Sequence, residues 1–379
     1  MRNAFRRYPK CVVGILALIL ALSLVHLLGK GGFLRQGVAE AKVIQEKGVF
    51  DEETVAFDKA NSQIQVVMDV QDRHTDILMT EPGIVGTATG LNEHGRPVIL
   101  VFAKSFELAR AAFLPSNIEG VPVVVKITGE FFALKKPTWA GGDGGGETFD
   151  RTAKHRPAPI GVSTGHPAIT AGTIGCRVTD GTDVYALSNN HVYADQNAAS
   201  IGDAVIQPGS YDGGSSPADD IGTLFDFEPI DFSGDGNTID AAIALTTDSP
   251  TDGLNNATPS DGYGMPKSTT AEPAIKKRVM KYGRTTGLTK GSIYAIHANV
   301  YVNYGGKYAV FVDQIVIQPG SFSAGGDSGS LIVLDSKGKG SGDKRKPVGL
   351  LFAGSVSFTI ANPIDAVLSR FGVTIDGEE

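Results

Sequence analysis

Ser328 stands in Ser323-Ala324-Gly325-Gly326-Asp327-Ser328-Gly329-Ser330, and the chain then runs straight into the apolar Leu331-Ile332-Val333. Glycines on both sides permit a tight turn that exposes a hydroxyl and lets neighbouring N–H groups converge on one spot. That is a nucleophile's setting, although a serine hydroxyl needs a base to take its proton and donors to hold the oxyanion. Taken alone, a glycine-rich serine turn is more often the entry loop of an ordinary strand. Two upstream residues supply the missing chemistry. His191 ends the strand-like Leu187-Ser188-Asn189-Asn190, and Asp240 heads Ala241-Ala242-Ile243-Ala244-Leu245, where a partly buried carboxylate could orient an imidazole. Asp231, Asp235 and Asp248 are poorer acids because none leads into such a strand.

Gly326-Asp327-Ser328-Gly329, with the chain order His191, Asp240, Ser328, resembles the trypsin-like (chymotrypsin-fold) serine proteases, in the bacterial type that lacks disulfides. The resemblance covers roughly residues 160–379. It implies a mainly β fold of two six-stranded antiparallel barrels with the site in the cleft between them. It also implies His191 as general base then acid, Asp240 as its orienting partner, Ser328 as nucleophile and the N–H groups of Gly326 and Ser328 as the oxyanion hole. No cofactor or metal follows from it. Phe322, six residues before the nucleophile, falls at the base of the primary pocket, with Ser323 beside it and Leu351-Phe352-Ala353-Gly354 as a wall. With no acid there, the pocket is expected to favour small or medium apolar side chains. The sequence has no obvious activation-cleavage site, which puts in doubt a zymogen mechanism where a new N-terminus pairs with Asp327; a local structural contact is the alternative. The competing functions are a non-catalytic binding or scaffold protein on the same fold and an esterase.

The elements that must position these residues follow from composition and patterning. With 379 residues, 41% hydrophobic side chains and 48 glycines, the chain is folded and loop-rich, and its net charge of -7 offers no basic surface for nucleic acid. The two cysteines, Cys11 and Cys176, cannot build a disulfide framework, and Cys176 in a strand-like run is expected as a small buried residue. Arg2, Arg6, Arg7 and Lys10 precede an apolar run from Cys11 to Leu28 that matches about 18 residues of membrane-spanning helix. Residues 1–35 are therefore expected as an uncleaved anchor, or a cleaved signal, with the rest outside the cytoplasm. The nearest Ala-x-Ala, Ala39-Glu40-Ala41, lies well downstream.

Residues 51–134 are expected as a small α+β accessory module. Apolar positions from Val55 to Leu78 predict a helix, strands over 83–90 and 97–103 meet at Asn92-Glu93-His94-Gly95, a short helix covers 106–112 and a strand 121–127. His74 and His94 read as surface residues. Residues 135–158, with Gly141-Gly142-Asp143-Gly144-Gly145-Gly146, read as a flexible linker with few contacts across it, so that residues 159–379 should fold alone as the protease domain. The run carries no Gly-Lys-Ser/Thr and is no nucleotide loop. The acids between Ser210 and Asn237 lack the alternation of a calcium loop and read as solvated. Lys281-Tyr282-Gly283-Arg284-Thr285-Thr286-Gly287 is expected as a structural strand-turn-strand, Lys337–Lys346 as a charged hairpin tip, and residues 362–371 as a closing helix. Oligomeric state is not legible.

Overall fold

The computed structural model describes residues 56–134, 149–247, 249, 252–336 and 342–379. The expected anchor over Cys11–Leu28 and the glycine run of 141–146 lie outside them. Among the described residues, no helix is long and apolar enough to cross a membrane.

The chain enters through α1 (Ser62–Thr80), β1 (Ile84–Leu91), β2 (Pro97–Ala103), α2 (Phe106–Ala111), β3 (Asn117–Ile118), β4 (Val121–Ile127) and β5 (Phe131–Ala133). α1 begins later than the apolar spacing suggests because Asn61 caps it, its side-chain oxygen accepting from the N–H groups of Gln63 and Ile64. β2 is buried on both faces. Ile99, Val101 and Ala103 pack with Val67, Val70 and Leu78 of α1, while Val98, Leu100 and Phe102 point the other way into a core shared with the C-terminal half.

The next elements are β6 (Ser163–Thr164), β7 (Gly172–Thr173), β8 (Cys176–Thr179), β9 (Val184–Ser188), the single turn α3 (Asn190–Tyr193), β10 (Ala204–Ile206), β11 (Asp220–Phe227), β12 (Gly236–Asn237) and β13 (Ala242–Thr246). The last group is β14 (Arg278–Gly283), β15 (Gly287–Asn303), β16 (Tyr308–Gln318), β17 (Leu331–Leu334), β18 (Pro347–Gly354), β19 (Thr359–Pro363), α4 (Ile364–Phe371) and β20 (Thr374–Ile375).

The fold is mainly β. Strands β14, β15, β16, β19, β18 and β17 pair in a closed ring, the six-stranded barrel expected of the C-terminal half. The other half is a six-stranded sheet in the order β10-β11-β13-β9-β8-β20, completed by a strand from the far end of the chain. Its ladder does not close as expected. Gly165, Pro167, Gly172 and Gly175 break the first segment into the short β6 and β7, a separate two-stranded ladder that meets the sheet edge at the Gly165–Ile206 bridge. Residues 168–178 for the same reason carry only the short β7 and the start of β8.

The N-terminal elements do not stand apart as an accessory module. β1 pairs antiparallel with β15, and β5 lies parallel to β15 and antiparallel to β18. All described residues belong to one unit, Glu52–Glu379. Val98, Leu100, Phe102 and Phe131 share one cluster with Val300, Val302, Phe311 and Phe352. At about 1.5–3 kcal/mol for each large apolar side chain buried, these contacts outweigh what a linker composition alone suggests. The C-terminal part of the supposed linker is likewise ordered, with the Arg156 guanidinium donating to the Gln207 side chain at 2.8 Å. The acidic region is more structured than solvated loops: it contains β11, and Asp212 is nearly buried against Arg284.

Candidate active site

Asp240 is fully buried at the head of β13. Its backbone is clamped from two sides, the Asn189 amide donating to its carbonyl at 2.7 Å and the Asn362 amide at 3.0 Å. Its carboxylate accepts from His191 Nδ1 at 2.6 Å, from the His191 backbone N–H at 3.2 Å and from the Tyr304 hydroxyl at 2.7 Å. Burial alone would push this carboxyl up; the His191 charge and these hydrogen bonds outweigh it and hold the group below the usual carboxylate range. Burial and the neighbouring Asp240 charge push the Tyr304 phenol well above its ordinary value, so the hydroxyl stays a donor.

His191 lies on α3, directly after β9, because Asn189 and Asn190 end the strand and the chain turns once there. With Nδ1 committed to Asp240, the buried Nε2 has no hydrogen-bond partner among the described residues. Its ring meets Tyr304 edge-on at 5.9 Å.

Ser328 comes from the other half, in the turn between the Gly320–Phe322 helical turn and β17. Gly326 and Gly329 take φ of 94° and 93°, a region that side chains rarely adopt. Gly172 joins the two halves. A Cβ there would meet Val192, next to His191, at 2.5 Å and the Ser328 carbonyl at 3.1 Å. Thr173 continues the seam, its N–H donating to the Ser328 carbonyl at 2.8 Å and its hydroxyl to the Gly326 carbonyl at 2.8 Å. The Ser328 hydroxyl donates to the Phe352 carbonyl at 3.2 Å.

The turn is held from below by Asp327. Its carboxylate accepts from Thr285 N–H at 2.8 Å, Thr286 N–H at 3.1 Å and the Thr286 hydroxyl at 2.7 Å. The wholly buried Lys281 ammonium stands 3.3 Å away. Burial pulls Lys281 below its ordinary value, and the Asp327 charge and hydrogen bond oppose that pull. Asp327 thus makes a local contact, and the strand-turn-strand around Lys281 is what supplies it.

The expected pocket residues divide. Phe322 is buried among Ile317, Ile332 and Leu351, and the Ser323 hydroxyl is tied to Thr359 at 2.6 Å. Phe352 turns its ring into the core against Phe311 at 4.7 Å, so it contributes its carbonyl to the cleft and not its side chain. Gly354 does form a wall. The chain itself lies on it: a Cβ at Gly354 would be 3.5 Å from Leu134 Cδ1. Leu134 donates its N–H to the Phe352 carbonyl at 3.2 Å, and its carbonyl accepts from Gly326 N–H at 2.8 Å.

Tyr304, Asn362, Lys281 and Leu134 were not singled out as site residues. Lys281 had a signal, a lone cation between Met280 and Tyr282 in an apolar strand. Leu134 and Tyr304 had none, because their roles arise from contacts between distant segments. Among the described residues, no group of His, Cys, Asp and Glu is arranged to hold a metal ion. Cys176 is fully buried, and burial pushes its thiol up.

A family model described as the Nal1 C-terminal domain matches residues 267–360, a span that contains Ser328 and Lys281 but not His191 or Asp240. No curated protein sequence matches the chain. Among similar solved structures, a glutamic acid specific serine protease is 22% identical with a TM-score of 0.39, over 57% of this chain and 100% of that one. Thermobifida fusca Protease A is 19% identical with a TM-score of 0.40, over 58% of this chain and 100% of its own. The Nocardiopsis protease is 16% identical with a TM-score of 0.40, over 57% and 99%.

Proposed function

We propose that the chain is a serine endopeptidase of chymotrypsin-like arrangement, acting through an acyl-enzyme on Ser328 with His191 as base and Asp240 as orienting acid. The observation that carries this reading is the buried Asp240–His191 pair at 2.6 Å, which leaves Nε2 with no partner among the described residues, while Gly172 packs between Val192, next to His191, and the carbonyl of Ser328 in its glycine-flanked turn. Asp240 fixes the tautomer with Nδ1 protonated, so Nε2 is the free basic nitrogen and the imidazolium formed on proton transfer is stabilised. Gly326 N–H, whose peptide plane is held by the Thr285 hydroxyl donating to the Gly325 carbonyl at 2.7 Å, supplies one oxyanion donor and Ser328 N–H the second. Phe322 and Gly354 shape an apolar primary pocket, so protein or peptide substrates with a medium apolar residue before the cut bond are favoured. The basic residues ahead of the apolar run 11–28 support action outside the cytoplasm, with the run as anchor or signal.

A second reading, a non-catalytic binding protein, is favoured by one observation: the Ser328 hydroxyl is bonded to the Phe352 carbonyl and not to His191. A fluorophosphonate probe separates the two. Labelling of Ser328 that disappears in His191→Ala supports the hydrolase, and an unlabelled, folded chain supports the binding protein. Peptide-library turnover then separates an endopeptidase from an esterase.

A further inference from the structure

The residues that precede Lys135 lie in the cleft in the manner of a bound peptide. β5 runs antiparallel to β18, with Phe132 opposite Gly354 and Ala133 opposite Ala353. Leu134 continues that line, its N–H on the Phe352 carbonyl at 3.2 Å. Its side chain rests on Gly354 and packs against the cluster that contains Phe322, the apolar pocket proposed above. Its carbonyl points at Gly326 N–H at 2.8 Å, the group proposed to hold the oxyanion. A strand that served packing alone would gain its sheet bonds from Phe131–Ala133; it would have no need to put the next carbonyl on that donor and the next side chain in that pocket. On its other edge β5 is held by β15, with Phe131 opposite Val302, and the Phe131 ring is buried edge-on to Phe102 at 5.8 Å. The segment is therefore fixed in place by the N-terminal elements and excludes any other peptide from the same strand position.

We propose that Phe132–Leu134 is the chain's own first substrate, cut on the carboxyl side of Leu134. The proposal rests on the endopeptidase reading. The Ser328 hydroxyl turns from the Phe352 carbonyl to His191 Nε2, loses its proton there and bonds to the Leu134 carbonyl carbon, the negative charge passing to the Leu134 oxygen at Gly326 N–H. The bond from that carbon to the Lys135 nitrogen breaks, and Nε2 returns the proton to the leaving amine. Water then adds to the ester, releasing a Leu134 carboxylate and restoring the Ser328 hydroxyl. Until the cut strand leaves, the cleft is closed to other substrates.

The test is intact-mass and N-terminal sequencing of the purified full-length chain. A fragment beginning at Lys135 is expected in the wild type and none in Ser328→Ala, and its rate of appearance should not depend on protein concentration. Leu134→Asp, which sets a carboxylate against an apolar pocket, should slow this cut at least about tenfold. Fluorophosphonate labelling and peptide turnover are read on the same samples. A chain that labels and turns over peptides yet stays joined after Leu134, or is cut only elsewhere, overturns the inference and leaves the endopeptidase standing. Wild-type and Leu134→Asp chains that are folded, uncut and unlabelled overturn both.

Discussion

The Lys281 ammonium and the Asp327 carboxylate face each other at 3.3 Å with no exposure of either side chain, directly beneath the Ser328 turn. Lys281→Met leaves a buried carboxylate without its counter-charge, which costs about 3–5 kcal/mol. Denaturant melts should show that loss. Peptide turnover should fall as well, because Asp327 anchors the turn that carries Gly326 N–H. A variant as stable and as active as the wild type would show that the threonine contacts alone hold Asp327.

Tyr304→Phe removes one donor from the Asp240 carboxylate and leaves the ring in place against Phe311 and His191. A hydrogen bond to a charged group is worth about 1.5–3 kcal/mol. We expect a loss of that order in urea unfolding, with His191 still able to act. Unchanged stability would mean that the His191 contacts suffice for this buried acid.

His297 joins the N-terminal helix to the long hairpin, one ring nitrogen at 2.6 Å from Asp72 and the other at 2.8 Å from Asp313. Burial pulls its pKa down, but the two carboxylates outweigh that and raise it above the ordinary imidazole value. A raised folded pKa contributes stability that is complete below about pH 6.5, the unfolded value, and is lost as pH rises through the folded one. Melting temperature should therefore fall as pH rises above about 6.5 more steeply in the wild type than in His297→Gln. Parallel profiles for the two proteins would remove this pair from the account.

Ser328→Ala should abolish peptide turnover with little change in the melt; His191→Ala should abolish it too, but with a lower melt, because it takes the Nδ1 donor from the buried Asp240 carboxylate. In turnover the double variant should be scarcely worse than either, since residues of a triad act as a unit. Full activity in either single variant contradicts the assignment.

A fragment beginning at Phe149 should be less stable than residues 56–379 and should aggregate. It exposes the edge of β15 that β1 and β5 occupy, together with Val300, Val302 and Phe352 of the shared core. A cooperative, monomeric melt equal to that of the longer chain would restore the independent domain that the glycine run suggests.

Local chemistry made much of this protein legible in one dimension. Glycines around Ser328, the polar strand end at His191 and the small-residue strand after Asp240 each state a local requirement, and short-range patterning located β1, β2, β4, α2 and α4 to within a few residues. The periodicity of 51–134 likewise announced a helix and strands. It could not say what β1 would pair with, because a strand edge carries no record of its partner: the β1–β15 ladder joins residues more than two hundred positions apart. The same limit hid Leu134. Nothing in Ala133-Leu134-Lys135 marks a peptide lying in a cleft; only the placement of β5 between β15 and β18 brings its carbonyl to Gly326. Lys281 shows the division most sharply. A lone charge in an apolar strand calls for a buried partner, but the sequence reading took residues 281–287 only as a structural strand-turn-strand; the folded barrel, by setting β14 against β17, decided that the partner is the residue before Ser328.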